Sequence, residues 1–127
     1  MNSHVAVISL YAEDLEKTVH FYKNIVGLYL VSNGSGAGGE HRPHFRLGDT
    51  YLVFLKGKPQ PALTDKPARF PTLAIAVDDI EGAVARLKAN QIELPWGMEA
   101  DARARWVMFH DPSGNLIELV QSARGVI

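Results

Sequence analysis

Three side chains dominate the chemistry this sequence can offer: the carboxylate of Glu118 and the imidazoles of His44 and His110. A carboxyl group in partly apolar surroundings has its pKa raised toward neutrality and can then serve as a general acid or base. Joined by both imidazoles it would form a two-histidine, one-carboxylate site for a divalent metal. Plainer readings stand beside these. Glu118 is a carboxylate hydrogen-bonded or salt-bridged to Arg46, and a histidine next to a turn, as His110 is next to Asp111-Pro112, packs or faces solvent. Trp106 and Tyr51 can stack a planar ligand or hold a cation over a ring face; alternatively they bury against a partner subunit. His4 reads as N-terminal surface, His20 as a solvated helix residue and His41 as a loop residue. Gly34 to Gly39 (GSGAGG) matches G-x-G-x-x-G by letters. A phosphate cradle needs a helix directly after it, and here Glu40, Pro43 and a strand follow. The segment reads as a flexible loop able to act as a lid.

These residues must be positioned by strands. Val5 to Tyr11 (VAVISLY) is rich in β-branched and aromatic residues and predicts a strand. Glu13-Asp14 offers a helix cap, Leu15, Val19, Tyr22 and Val26 follow at helical spacing, and Gly27 suits the C-terminal cap. Leu28 to Val31 predicts a short strand, and His44 to Leu47 with Tyr51 to Leu55 a hairpin across Gly48-Asp49. The second half repeats this β-α-β-β-β order. Thr72 to Val77 is a strand, and Asp78-Asp79 caps a helix carrying Ile80, Val84 and Leu87. Ile92 to Leu94 predicts a short strand, and Trp106 to His110 and Leu116 to Val120 flank the turn Asp111 to Asn115. Adding 65 to a residue number carries Val7 onto Thr72, Asp14 onto Asp79, Val53 onto Glu118 and Leu55 onto Val120. One offset holding at both ends of the unit argues for two copies of one supersecondary motif. The link between them, Gly57 to Pro71, holds four prolines and cannot be regular helix.

Strands alternate faces, and the face toward the helices should be apolar. That face takes Ala6, Ile8, Leu10, Phe45, Leu47, Leu52, Phe54, Leu73, Ile75, Val107, Phe109, Ile117 and Leu119. The opposite face carries Val7, Ser9, Tyr11, His44, Arg46, Tyr51, Val53, Thr72, Ala74, Trp106, Met108, His110, Leu116, Glu118 and Val120. Aromatic and apolar groups with a few polar anchors make up a ligand cavity. The expected ligand-binding set is Ser9, Tyr11, His44, Arg46, Tyr51, Thr72, Trp106, Met108, His110 and Glu118, with Glu118 as the catalytic candidate.

Ile8 to Tyr22 (ISLYAEDLEKTVHFY), closing on Ile25-Val26-Gly27-Leu28, resembles the opening strand and helix of the vicinal-oxygen-chelate superfamily, which includes glyoxalases, bleomycin-resistance proteins and extradiol dioxygenases. Leu73 to Ile80 (LAIAVDDI) is similar to the start of that family's second module, and Asp111 to Leu119 (DPSGNLIEL) to its closing hairpin. The resemblance spans nearly the whole chain. It implies an α+β fold of two tandem βαβββ modules forming an open, curved sheet cleft, in one domain over 1–127, with module one at 1–57, a linker at 58–70 and module two at 71–127. It also implies a homodimer. The family's metal ligands fall on Val7, Val53, Thr72 and Glu118 of this sequence. Two valines offer no lone pair and a threonine hydroxyl is a poor ligand for such metals. No metal and no cofactor is therefore expected, and the resemblance is nearest to the metal-free bleomycin-resistance branch, which binds and sequesters its ligand. The alternative is an enzyme of the same fold, a lyase, isomerase or dioxygenase, using Glu118 with His44 or His110.

The composition narrows the partners to small molecules. The chain has 127 residues and a formal net charge of −1, with no basic run to attract nucleic acid or an anionic membrane. It has no cysteine, which excludes disulfides and thiolate chemistry and fits a reducing cytoplasm. Met1 to Leu10 lacks the pattern of a signal peptide, and no apolar stretch approaches the length of about 20 residues that spans a bilayer. A cytoplasmic small-molecule binding protein is the expectation.

Overall fold

The computed structural model describes residues 3–34, 42–59 and 71–123. The chain divides into two compact units, Met1–Gln60 and Pro61–Ile127. The glycine-rich loop from Ser35 to Gly39, His41, and most of the expected linker lie outside the described residues.

In the first unit, β1 (Val7–Ala12) leads into α1 (Leu15–His20), which continues as a π-helical segment, Phe21–Val26. Then come β2 (Tyr29–Ser32), β3 (His44–Leu47) and β4 (Thr50–Lys56). The second unit has β5 (Leu73–Ala76), α2 (Ile80–Ala89), β6 (Glu99–Ala100), β7 (Ala104–His110) and β8 (Leu116–Ser122). The sheets are four-stranded and open, ordered β1-β4-β3-β2 and β5-β8-β7-β6. In each, the first strand pairs in parallel with the last and the others are antiparallel. This is an α+β fold built twice.

The repeat extends to the ties that fix each helix. Asp14 accepts from the Lys17 amide at 3.0 Å, and Asp79 accepts from the Gly82 amide at 3.0 Å, so each helix begins on an aspartate cap. At the far end of the last strand, Lys56 Nζ donates to the Glu13 carbonyl in unit one, while Gln121 Nε2 donates to the Asp78 carbonyl at 2.6 Å in unit two. Both pairs keep the offset of 65. The same tether is made by an ammonium in one copy and an amide in the other. Gln121 Oε1 also accepts from the Ile80 amide at 2.9 Å.

Each core lies between a helix and one sheet face. In unit one Tyr22 is fully buried among Phe45 and Phe54, with ring centroids 6.0 and 4.7 Å away. In unit two Ile80, Ala83 and Leu87 of α2 are buried, as are Val107, Phe109, Ile117 and Leu119 on the strands. The set predicted to face the helices is buried at every central residue, and the opposite face buries Val53, Met108, Leu116 and Val120 as well. Ala6 is exposed because β1 starts only at Val7, and Ile8 and Leu47 are half-buried near strand ends.

Two expectations are corrected. The first helix buries Thr18, Phe21, Tyr22, Ile25 and Val26, while Leu15 and Val19 are half-buried. The buried positions lie at i, i+3, i+4, i+7 and i+8 from Thr18, an apolar helical stripe that the π-helical segment continues, and Thr18 can face the sheet because its hydroxyl donates to the Asp14 carbonyl at 2.7 Å. The segment ends where Gly27, at φ 91°, and Leu28 both donate to the Tyr22 carbonyl. Ile92 to Leu94 is not a strand; the second strand of unit two is β6, at Glu99–Ala100. The Ile92 amide donates to Leu87 at the end of α2, and the Leu94 carbonyl accepts from Gly97 across a turn. Backbone groups used by a helix end and a turn cannot also join a ladder.

Candidate functional site

The faces turned away from the helices carry the candidate residues, and each unit presents its own set. In unit one the ladder places Val7, Tyr51, Arg46 and Tyr29 in one row across β1, β4, β3 and β2. The next row is Ser9, Val53 and His44, and Tyr11 lies beyond it opposite Leu55. Val53 is buried and His44 and Tyr51 are half-buried; Ser9, Tyr11 and Arg46 are exposed. Tyr11 packs its ring against Gly57, where an added Cβ would sit 2.6 Å from the ring. Arg46 donates from one guanidinium nitrogen to the Tyr51 hydroxyl at 2.9 Å, and its central carbon lies 5.4 Å from the Tyr51 ring centroid. His44 Nδ1 is buried with no hydrogen-bond partner among the described residues.

In unit two the rows are Leu116 beside His110; Ala74, Glu118 and Met108; and Ala76, Val120, Trp106 and Glu99. Met108, Leu116 and Val120 are buried, Trp106 and Glu118 are half-buried, and Thr72 and His110 are exposed. Thr72 precedes β5, its amide donating to the Leu116 carbonyl at 2.7 Å. Burial raises the Glu118 carboxyl above its ordinary pKa, and the negative charge of Glu99 adds to the rise. Glu118 is therefore held among apolar neighbours beside a second acid, the combination that makes a carboxyl hold its proton.

The structure brings Ser9, Tyr11, His44, Arg46 and Tyr51 onto one sheet, and Trp106, Met108, His110 and Glu118 onto the other. It does not join Glu118 to His110, which stands opposite Leu116 while Glu118 stands opposite Met108. Among the described residues no three His, Cys, Asp or Glu side chains gather as metal ligands would. Sequence reasoning missed Glu99 and Tyr29 on these faces. Glu99 was hidden by the misplaced second strand of unit two. Tyr29, 71% exposed and opposite Arg46, was hidden because the long segment between β2 and β3 leaves their register unreadable.

Two further features are structural. Asp111, 5% exposed, accepts from the amides of Ser113 and Asn115 and from Asn115 Nδ2, each at 2.9 Å, and so closes the β7–β8 turn. A pocket of about 340 Å³ is lined by Asp101, Ala104, Arg105, Gln121, Ser122 and Ala123. Its strongest polar groups are committed: Arg105 is paired with Glu81 at 2.8 Å, and Asp101 accepts from the Arg103 and Ala104 amides, which hold its carboxyl below its ordinary pKa.

The profile of the Glyoxalase/Bleomycin resistance protein/Dioxygenase superfamily matches residues 3–119. The chain belongs to that superfamily. Among solved structures it is similar to TnmS3, described as an antibiotic binding protein from Streptomyces sp. CB03234. The two are 31% identical, with 96% of this chain and 98% of that chain covered and a TM-score of 0.76. A glyoxalase/bleomycin resistance protein from the same Streptomyces is 30% identical over 91% of this chain and 98% of its own, with a TM-score of 0.71. The protein YaeR of Escherichia coli (strain K12) is 29% identical, covering 93% of both chains. Superfamily membership brings the question of a divalent metal, and the donor set answers it poorly. Val7 is 51% exposed and Val53 is buried, both without lone pairs, and Thr72 offers only a hydroxyl. With Glu118 alone able to ligate, these four places do not fit a metal.

Proposed function

We propose that this protein binds a small molecule on its mixed apolar and polar sheet faces and sequesters it, without metal chemistry. The observation that carries this reading is the composition of the faces opposite the helices. Trp106, Met108, Leu116 and Val120 share one face with the carboxyls of Glu118 and Glu99 in one unit, and three tyrosines share the other with Arg46 and His44. A pattern of flat apolar surface with isolated polar anchors suits retention of a ligand better than turnover. Similarity to a protein described as antibiotic binding supports the same reading. The functional form is a homodimer, since each sheet is open and unit one leaves Val5, Val7, Tyr11, Tyr29 and Val31 substantially exposed. The cysteine-free composition suits the cytoplasm.

The test is elemental analysis of untagged protein joined to a thermal-shift screen of planar aromatic and cationic compounds. Sub-stoichiometric Ni, Zn, Fe and Mn with saturable stabilisation by a ligand is expected; a ligand at about 100 times its Kd adds about 2.7 kcal/mol. One tightly held metal per chain, lost in Glu118→Ala, would refute the reading. Light scattering should give a mass near twice 14.0 kDa, and a monomer at micromolar concentration would refute the dimer. The raised pKa of Glu118 favours a second reading, general acid–base catalysis by that carboxyl. Turnover of a bound ligand that disappears in Glu118→Gln while binding persists would select it.

A further inference from the structure

The polar groups on the unit-one face have one electrostatic character. Arg46 has no ion pair among the described residues; its hydrogen bond goes to the neutral Tyr51 hydroxyl. A guanidinium carries five N–H donors in a planar fork, so most of them remain for another acceptor. His44 stands two residues before Arg46 on β3, which places both side chains on one face about 7 Å apart along the strand. None of the strand residues on this face is acidic: they are Val7, Ser9, Tyr11, Tyr29, Ser32, His44, Arg46, Tyr51, Val53 and Leu55. The unit-two face is the opposite, with Glu118 and Glu99 and no lysine or arginine in the same rows.

The state of His44 follows from its unpartnered nitrogen. Nδ1 is buried and bonded to nothing among the described residues. A proton there would be a buried N–H without an acceptor, which is costly to leave unmade. A ring with its N–H on Nε2 leaves only a lone pair inside. Nε2 is not among the buried unpartnered atoms and makes no hydrogen bond to a described residue. It is therefore open to solvent and donates outward. The face thus presents a guanidinium and an imidazole N–H donor beside the exposed ring of Tyr29 and the half-buried ring of Tyr51.

We propose that this face holds the oxyanion of a planar aromatic ligand, with Arg46 and His44 Nε2–H as donors to the charged oxygen and the tyrosine rings against the ligand's plane. Phenolates and aryl carboxylates share that chemistry. The inference rests on the reading of the protein as a small-molecule binder and names the ligand class for one of its faces.

The probes are 4-nitrophenol, 4-nitrobenzoate and the uncharged 4-nitroanisole, titrated by NMR at a pH where the first two are ionised. Intact protein should bind at least one anion about tenfold or more tighter than the anisole, and the relative affinities show whether a phenolate or a carboxylate fits better. Arg46→Gln should abolish the preference, leaving both anions no tighter than the anisole, Arg46→Lys should restore only part of it, and His44→Phe should reduce it several-fold. Melting temperatures within a few degrees of the parent establish that these variants are folded. Equal affinity for all three probes, a preference that survives Arg46→Gln, or no binding of any probe each overturns the proposal. The first two outcomes leave small-molecule binding standing, and after the third that reading is decided by the thermal-shift screen.

Discussion

Replacing Phe109 with alanine removes a ring that is wholly buried on β7, flanked by Val107 on its own strand and opposite Ile117 on β8, both also wholly buried. Truncating such a ring costs transfer free energy plus the cavity that remains, together about 3–5 kcal/mol. Against a total stability of about 5–15 kcal/mol for a domain of this kind, that is a large share. In a chain of this length it lowers the melting temperature by about 10–20 °C. Trp106, three positions earlier on the same strand, is half-buried on the opposite face. Part of its surface is already wet, so Trp106→Ala should cost only about 1–2 kcal/mol. Its principal effect should be loss of ligand binding. The assay is a thermal-melt pair measured in the same buffer, read beside ligand titration. If Phe109→Ala melts within a few degrees of the parent while Trp106→Ala unfolds, β7 is out of register by one residue. Such a slip exchanges the two faces completely, and every residue assigned to the ligand face would fall with it.

Glu118→Gln should alter the pH dependence of stability. A carboxyl whose pKa is raised on folding holds its proton more tightly in the folded state, so stability falls as pH rises from the ordinary carboxylate range through the raised pKa. The glutamine variant should be the more stable protein above that window and lose its advantage below it; the opposite trend in melts across pH would refute the burial argument. Asp111→Ala removes the acceptor for three donors within the β7–β8 turn and should cost about 2–4 kcal/mol. It should lower the urea midpoint with an unchanged slope, and an unchanged midpoint would show that the turn holds without its aspartate.

Local and periodic features were legible in the sequence because their causes are local. Asp14 and Asp79 announce helix starts through the geometry of a side-chain cap, and Gly48-Asp49 announces a hairpin through its backbone freedom. The alternation around Phe45, Leu52, Phe109 and Ile117 assigns strand faces because a pleat has a period of two. The constant offset of 65 carried the architecture, since two copies of one unit must fold alike. What only the tertiary structure decided depends on contacts distant in the chain. Packing against the sheet puts Thr18, Phe21 and Ile25 in the core beside the expected Tyr22 and Val26, and leaves Leu15 and Val19 half-buried. The second strand of unit two lies at Glu99 because the backbone around Ile92 is used to end a helix, and with it came the acid that adds to the rise burial gives Glu118. The register of β2 on β3 sets Tyr29 against Arg46, and burial alone leaves His44 Nδ1 without a partner. Residue types named the candidates, but whether each is wet, buried or paired is a property of its neighbours in space, and those the linear order does not specify.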